Sequence, residues 1–412
     1  MVQRFGGIAT LWRSLGEAVF ALPFVNHSPA SVPFAWRNLL ANKRRLLGSA
    51  GAIAFAVMLM IVQIGFRDAF LDSATEIFFQ IDGDLFITSS TKYRFDFKDS
   101  FSRRQLYAAR AVPGVEWVRP IYADYIKGSW KNPQNQRIFI ARVLAFDPDQ
   151  PVFLWPEVNV KLSDLRQPDT AMFDRLSRRH NGFVTEGTES ELVRRNVRIV
   201  GTFPLGPNFT TDSTVITSDR TFQKLFSTHT LREGELADIE FGVVKLLPGV
   251  NINAVQLALR RALSANVSVL TKAELIDLEM TFQNEISPAG PIFTLGTLIG
   301  LLFGVLISYQ VLFTDVSELL PQYATLKAIG YKNVYLIRVI LEQAIFYAVV
   351  GFVPAWLVCA VLFKVLGEIT LLPLRMSISL TSIVVILTLT MCIVSGLLAV
   401  RRILAADPAE IF

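Results

Sequence analysis

Residues that could catalyse a reaction or bind a metal are sparse in this sequence and lie far apart. The three histidines, His27, His180 and His229, have no partner at the spacing of metal ligands. Neither the phosphate-binding loop G-x-x-x-x-G-K-[ST] nor the H-E-x-x-H and G-x-S-x-G motifs occur. The two cysteines, Cys359 and Cys392, fall in apolar stretches. We therefore predict that the chain is not an enzyme and has no catalytic residue, metal site or cofactor of its own.

Three glycines at four-residue spacing, Gly296, Gly300 and Gly304, lie within another apolar stretch. Successive G-x-x-x-G steps flatten one side of a helix and allow a second helix to approach closely. The spacing predicts a helix-packing face. It is either a seam between two copies of the chain or a contact with the first or third apolar helix of the same copy.

Arg338 and Glu342 are charged residues four positions apart at the beginning of the third apolar stretch. Charges in such a place are costly unless they are paired or reach water. They could line a transport path. We favour a local ion pair that extends to the membrane surface.

Residues 319–331, between the second and third apolar stretches, have the pattern of a short amphipathic helix. Leu320, Tyr323, Leu326 and Ala328 can share one apolar side, and Gly330 is placed to end the helix. Such a helix fits the groove of a partner protein. The alternative is an interfacial helix without a partner.

Four apolar runs predict helices that cross a membrane. They cover residues 48–66, 291–313, 335–363 and 378–400. Each has, or nearly has, the roughly 20 residues that span a bilayer core of about 30 Å. In lipid these runs must be helical, because backbone polar groups can pair only within the segment. The low charged fraction of 18% agrees with this interpretation.

Basic residues predict the orientation in the membrane. Those at 37–45 precede the first run without an acidic residue among them, and Arg401 and Arg402 follow the last run. Because cytoplasmic flanks carry the excess of Lys and Arg, both termini and residues 314–334 are predicted to be cytoplasmic. Residues 67–290 are then outside. The net charge of +5 is largely anchoring charge, and nucleic acid is not an expected partner.

The long segment between the first two spans predicts an α+β domain that stands on two helical stalks. Helical spacing continues from the first span to residue 80 and resumes at 272–286 before the second span. Between the stalks, short β-branched or aromatic runs alternate with helical patterns. Strands are predicted at 84–89, 137–144, 197–203 and 239–246, and helices at 102–111, 219–226 and 253–263.

The predicted fold is an integral membrane protein with four transmembrane α-helices, one plus three, and a large α+β extracytoplasmic domain. In chain order the segments are an N-terminal cytoplasmic segment (1–35), an amphipathic helix with the first span (36–66), the outer domain with its stalk helices (67–290), the second span (291–313), a cytoplasmic coupling loop (314–334), the third span (335–363), an outer hairpin (364–377), the fourth span (378–400) and a cytoplasmic tail (401–412).

Three cytoplasmic segments resemble the FtsX-like permeases of the MacB type. Residues 34–40, FAWRNLL, are similar to the amphipathic helix that leads into the first span of that family. Residues 323–330, YATLKAIG, resemble its coupling motif E-I-G-x-L-[KR]-A-x-G, with Gln322 where Glu is usual. Residues 400–410 resemble its C-terminal signature R-R-x-x-x-x-D-P-x-E.

Within the family, the sequence is most similar to the DevC-type permeases of cyanobacteria. The similarity covers nearly the whole chain after about residue 34. It is carried by GFRDA at 65–69, FSRR at 101–104, TDVS at 314–317 and the ending AADPAEIF. The first 34 residues have no counterpart in that family.

The resemblance implies the membrane permease subunit of a tripartite ABC-type exporter. A separate DevA-like ATPase would bind ATP, and a DevB-like periplasmic adaptor and a TolC-like outer-membrane channel would complete the machine. The cargo would be a glycolipid or another envelope component, moved from the periplasm outward by mechanical transmission. The implied chain is a homodimeric multi-pass protein in contact with inner (plasma) membrane lipid. Its ATPase-docking residues would be Leu320, Tyr323, Leu326, Lys327, Ala328, Gly330, Arg37, Arg401 and Arg402.

Two other functions within the same family remain open. One is an FtsX-like regulatory membrane protein whose outer domain controls a cell-wall hydrolase. The other is a LolC-like extractor of lipoproteins. The large outer domain, residues 67–290, favours the exporter over the cell-division branch.

Overall fold

The computed structural model describes residues 43–125, 127–226 and 238–405. Four helices in this part of the chain are long and apolar enough to cross a membrane. They are α1 (Lys43–Phe79), α8 (Ala289–Glu318), α10 (Asn333–Thr370) and α11 (Ile378–Ala405). The predicted amphipathic helix before residue 43 and the tail beyond residue 405 lie outside the described residues.

The chain divides into two compact units. Of the described residues, the first contains 43–56, Leu302–Pro354 and 386–405. The second contains Val57–Leu301 and Ala355–Val385. The first unit is helical in its described residues and includes α9 (Leu320–Ala328) between two spans. The second unit includes the complete outer domain.

The outer domain is built on a mixed sheet of ten strands. Their order is β12-β1-β11-β3-β5-β4-β7-β8-β6-β9, and an additional pairing between β5 and β9 closes the last six strands on themselves. Most neighbours are antiparallel, whereas β5–β9 and β6–β8 are parallel. The strands are β1 (Leu85–Ser89), β3 (Val115–Asp124), β4 (Ser129–Lys131), β5 (Ile138–Phe146), β6 (Thr170–Asp174), β7 (Glu189–Leu192), β8 (Arg195–Phe203), β9 (Ser213–Ser218), β11 (Phe241–Leu246) and β12 (Val267–Thr271); a separate pair joins β2 (Phe101–Ser102) to β10 (Asp238–Ile239).

Helices cover both faces of this sheet. Successive residues of a strand point to opposite sides, so apolar residues on both sides need a covering layer. In β1, Leu85 and Ile87 belong to one hydrophobic cluster and Phe86 belongs to the other. The first cluster is completed by α2 (Arg104–Arg110), α5 (Asp219–Leu225) and α6 (Ile252–Ala262), and the second by the stalk ends of α1 and α7 (Lys272–Thr281) and by α3 (Pro156–Val160) and α4 (Leu162–Leu165). The stalks therefore pack directly against the sheet.

The predicted fold class is confirmed, and the structure corrects several boundaries. All four predicted strands and all three predicted outer helices exist. Six further strands of the ten-stranded sheet, β3, β4, β6, β7, β9 and β12, were not predicted, and neither was the short strand β2. The third span continues as α10 to Thr370, into the residues predicted as an outer hairpin. Lys364 and Glu368, four positions apart, suit a helix that extends into water.

The two stalks differ in continuity. The first is uninterrupted, because α1 runs through 37 residues, or about 55 Å at the rise of an α-helix. The second is interrupted, since α7 ends at Thr281 and a π-helical turn follows at Phe282–Ile286. Pro288 disfavours helical backbone at Ser287, which is extended in the structure, and α8 begins only at Ala289. The second stalk therefore has no continuous helical hydrogen-bond ladder into α8.

Candidate coupling elements

The short helix predicted between the second and third spans exists as α9, Leu320–Ala328. Pro321 lies in its first turn, where a missing N–H costs no hydrogen bond. Gly330 has φ of +104° and ends the helix, with its N–H donating to the Lys327 carbonyl over 3.1 Å. Only glycine adopts this left-handed conformation without strain, so the predicted C-terminal role of Gly330 is confirmed.

The predicted docking residues of α9 do not all face the same way. Tyr323 is only 1% exposed, so it packs into the first unit rather than presenting its ring to a partner. Leu320 and Lys327 are half-buried, whereas Pro321, Gln322 and Thr325 are exposed. The side chains of Leu326, Ala328, Arg401 and Arg402, and the whole of Arg37, lie outside the described part of the structure.

An exposed apolar surface adjoins α9 and was not predicted. Ile329 is 71% exposed and Val334 is 73% exposed. The ring of Tyr331 contacts the ring of Tyr335, with 4.8 Å between the ring centroids. We call these four residues the 329–335 surface. The signal in the sequence was a run of large apolar residues between a helix-ending glycine and the start of the third span. Large exposed apolar side chains next to one another are typical of interaction sites.

The three spaced glycines pack inside the chain. In the second unit, a Cβ at Gly296 would lie 2.6 Å from the side chain of Gln63, and one at Gly300 would lie 3.3 Å from Met60. In the first unit, a Cβ at Gly304 would collide with Met391 of α11. The glycine face therefore contacts α1 and the fourth span. Of the predicted alternatives, contact with the first span is observed, and the fourth span was not among the predicted partners.

Arg338 and Glu342 form the predicted local ion pair. The Arg338 Nε lies 2.9 Å from the Glu342 carboxylate, one helical turn away on α10. Both side chains are partly exposed near the beginning of the helix. The exposure of both side chains indicates an ion pair at the surface of the chain.

A nine-residue segment joins both stalks to the sheet. Residues 91–99, which follow β1 and which we call the clasp, place Phe95 at their centre. The Phe95 ring meets Phe78 of α1 edge-on at 5.0 Å and stacks on Phe241 of β11 at 4.7 Å. The Phe95 N–H donates to the Glu279 carboxylate of α7 over 2.6 Å. One residue thus contacts the first stalk, the second stalk and the sheet.

Buried charges fasten the clasp further. Lys92 donates to Glu240 over 2.8 Å, with 1% and 4% of the two side chains exposed. The same ammonium donates to the Phe97 carbonyl over 2.6 Å and lies over the Phe241 ring. At the other side of the clasp, the Asp96 carboxylate lies 3.8 Å from the guanidinium of Arg142 on β5. Groups this deeply buried are stable only when they are paired.

Burial dominates the electrostatics of the clasp. It raises the pKa of the Glu279 carboxyl, although hydrogen bonds from Phe95 and Gln283 act in the opposite direction. It also raises the pKa of Glu240, against the lowering effect of the Lys92 charge. Both carboxyls therefore ionise less readily than they would in water.

Replacing Glu279 with glutamine is expected to make the stability of the protein less sensitive to pH. A carboxyl whose folded pKa is raised contributes stability below its unfolded pKa, and this contribution is lost as the pH rises through the folded pKa. Glutamine keeps an acceptor for Phe95 but does not ionise. We expect the melting temperature of Glu279→Gln relative to wild type to increase as the pH rises past the ordinary pKa of a glutamate and through the raised pKa of Glu279. Glu76→Gln, at an exposed site on α1, is the control, and a constant difference for Glu279→Gln would contradict the prediction.

Together these features define a class of protein: a four-span membrane subunit whose outer domain is joined to its spans by two stalks. Residues 294–408 match the FtsX-like permease C-terminal family, and residues 47–262 match the MacB-like periplasmic core domain. The chain belongs to this family of FtsX-like permeases with a MacB-like periplasmic core. The family comprises membrane subunits of ABC-type transporters that are not themselves catalytic, with ATP hydrolysis carried out by an ABC ATPase partner.

Solved structures similar to this chain include two outer domains of such transporters. The periplasmic region of MacB from Actinobacillus actinomycetemcomitans is 10% identical, with a TM-score of 0.33, and the match covers 50% of this chain and 94% of that one. The extracellular domain of the noncanonic ABC-type transporter YknZ from Gram-positive bacteria is 13% identical, with a TM-score of 0.31, and the match covers 46% of this chain and 99% of that one. No curated protein sequence matches the chain.

Proposed function

We propose that this chain conveys the motion of a separate ATPase through the membrane to its own outer domain, as the permease of a tripartite exporter. The observation that carries the proposal is the clasp. It fastens an uninterrupted 37-residue helix and the second stalk to one sheet, so movement of either stalk is transmitted to the outer domain. A helix with an intact hydrogen-bond ladder transmits displacement along its length.

The proposed machine contains the components that the resemblance implies. They are a DevA-like ATPase, a DevB-like periplasmic adaptor and a TolC-like outer-membrane channel, with a homodimer of this chain in the inner membrane. A glycolipid or another envelope component is the proposed cargo. Support comes from the DevC-like segments of the sequence and from the size of the outer domain. Purifying the assembled complex from its native membrane and identifying bound lipid by mass spectrometry tests the cargo.

The ATPase is proposed to dock on α9 and the 329–335 surface. Ile329→Asp places a charge in the centre of this apolar surface, and desolvating that charge on binding costs free energy. We expect the variant to retain less ATPase in pull-downs and to lower ATP turnover of the complex. Leu326→Asp is expected to act in the same direction. The chain alone is expected to hydrolyse no ATP.

The matched control for docking is Val160→Asp, an equally exposed apolar position at the end of α3 in the outer domain. It adds the same charge on the proposed opposite side of the membrane and should leave ATPase retention unchanged. Wild-type retention by Ile329→Asp, at equal membrane abundance, would refute the docking site.

The proposed orientation can be tested by cysteine labelling in intact cells. A cysteine at 182 would be the direct outside probe, but Gly182 has φ of +95° and a Cβ there would collide with Gln134. Arg179→Cys, three residues earlier and exposed, is the better site. We expect an impermeant maleimide to label Arg179→Cys in intact cells and Gln322→Cys only after permeabilisation. Labelling of Gln322→Cys in intact cells would reverse the orientation.

A further inference from the structure

The loop between β8 and β9 brings the outer domain into contact with the ends of the spans. It comprises residues 204–211, PLGPNFTT, and we call it the foot. The foot contains two prolines and no charged residue. Its one aromatic side chain, Phe209, is 41% exposed. Exposing an aromatic ring to water costs free energy, and a less polar environment recovers it.

Buried hydrogen bonds fix the foot to the outer domain. The Asp174 carboxylate, fully buried at the end of β6, accepts the N–H groups of Leu205 and Gly206 over 3.0 and 2.9 Å. The side-chain oxygen of Asn208, which is 5% exposed, accepts the N–H groups two and three residues later over 2.9 and 2.6 Å. These bonds give the foot a defined shape and hold Phe209 in one place.

The other side of the foot contacts the ends of three spans. The Phe209 ring meets Phe70 of α1 edge-on, with 4.9 Å between the ring centroids. Phe70 in turn contacts Phe293, near the beginning of α8, with 6.0 Å between the centroids. A Cβ at Gly206 would lie 3.8 Å from the carbonyl oxygen of Leu371, which directly follows α10. The foot therefore lies where α1 and α10 leave the membrane and α8 enters it.

Charged side chains mark this level as the boundary between lipid and water. Arg67, one turn before Phe70 on α1, donates to Asn284 over 3.1 Å just before α8 begins. The exposed Arg375 follows the end of α10 by five residues. Charged side chains are rare among acyl chains, whereas basic ones interact favourably with lipid headgroups. The foot thus lies at the level of the headgroups.

We propose that the foot is a lipid-contact surface, in which the exposed part of the Phe209 ring enters the headgroup region of the leaflet on the outer-domain side. The occupant is lipid because the surface is continuous with the ends of three spans, which lipid already surrounds. Apolar side chains at the headgroup–acyl boundary gain free energy from leaving water. The uncharged foot loses no ionic hydration there. The outer domain thereby has an attachment to the membrane in addition to its two stalks.

A hydrogen bond connects this lipid contact to the clasp. The Thr210 hydroxyl, next to Phe209, donates to the Asp96 carboxylate over 2.7 Å. Asp96 belongs to the clasp, which also contacts both stalks and the sheet. The foot and the stalks are therefore attached to the same part of the outer domain.

Photocrosslinking of the full chain in its native membrane identifies what lies against the foot. Replacing Phe209 with p-benzoylphenylalanine keeps an aromatic ring that bonds to its neighbours under ultraviolet light. We expect phospholipid adducts on the peptide that contains residue 209. The same substitution at Leu295, 57% exposed on α8, is the positive control.

Leu247 is the matched negative control, because it is 46% exposed and lies in the same domain. It follows β11 at about 20 Å from Phe241, the β11 residue that stacks on the clasp. We expect no lipid adduct there. Adducts at 209 to a second copy or to another protein would overturn the proposal. It would equally be overturned if 295 reacts with lipid and 209 does not.

A spin label at Phe209→Cys measures depth without the bulky photoreactive group. In lipid nanodiscs, we expect collisions with oxygen and with a water-soluble nickel chelate to place this label within about 5–10 Å of the headgroup–acyl boundary. The label at Leu247→Cys should lie in water. Wild type treated in the same way gives the background, since Cys359 and Cys392 are buried. Equal access of the nickel chelate to both labels would refute the lipid contact, whether or not the proposed export function holds.

Discussion

Replacing Lys92 with methionine is expected to lower the unfolding free energy of the protein by about 3–5 kcal/mol. The substitution removes the charge that pairs with Glu240 and leaves a buried carboxylate without its partner. It also removes the hydrogen bond to the Phe97 carbonyl within the clasp. Urea unfolding of the full chain in mild detergent, followed by tryptophan fluorescence, measures the loss.

Two further variants separate a lost ion pair from a general effect of the substitution. Lys92→Met combined with Glu240→Leu removes both charges and should recover most of the stability, because replacing a complete buried pair by apolar residues is often neutral. Lys224→Met breaks an exposed pair with Asp169 on the same domain and should cost less than about 1 kcal/mol. If Lys92→Met costs no more than Lys224→Met, the clasp does not hold the stalks.

Ala74→Pro is expected to abolish most export while leaving the permease inserted in the membrane and bound to its ATPase. Ala74 is a buried interior residue of α1, in its extension toward the outer domain. Proline there removes one backbone hydrogen bond and collides with the preceding turn, which costs about 3 kcal/mol or more and kinks the helix. The relevant measurement is cargo exported per ATP hydrolysed at matched membrane abundance.

Ala74→Gly is the matched control, because glycine at the same site keeps the hydrogen-bond ladder and costs only about 1 kcal/mol. It should export at close to the wild-type rate. A mechanism in which cargo passes between the spans predicts a different result. In that case Ala74→Pro would export normally, whereas changes at Gly300 or at the Arg338–Glu342 pair would dominate.

Local patterns were sufficient to predict the spans and the class of the outer domain. The run that became α8 has no alternative in a bilayer core, because only a helix pairs all of its own backbone groups there. The end of α9 was equally local, since a left-handed residue is required and Gly330 supplies it. In the outer domain, four strands, β11 among them, were predicted from local runs of β-branched or aromatic residues.

Strands whose character depends on distant partners were not predicted. β9, with the sequence STVITS, is rich in small hydroxyl residues and shows no alternation of polar and apolar positions. Every residue of β9 is buried, because β5 pairs with it on one side and β6 on the other. Neither neighbouring strand is adjacent to β9 in the sequence, so no local pattern predicts this strand.

The clasp escaped prediction for the same physical reason. Residues 91–99 are rich in charged side chains, and this composition alone indicates a solvated loop. Lys92 finds its partner 148 residues away at Glu240, and Phe95 finds its partner 184 residues away at Glu279. A charged side chain is assigned to water by default, and only a partner brought close by the fold makes its burial possible.

The sequence by itself determined that the chain crosses a membrane, how many spans it has, where α9 ends, and that the three spaced glycines share a helix face. Only the tertiary structure decided what covers each face. Tyr323 turned inward, and the glycine face met α1 and α11. Periodicity is a property of one helix, whereas the burial of a face depends on which other helix packs against it.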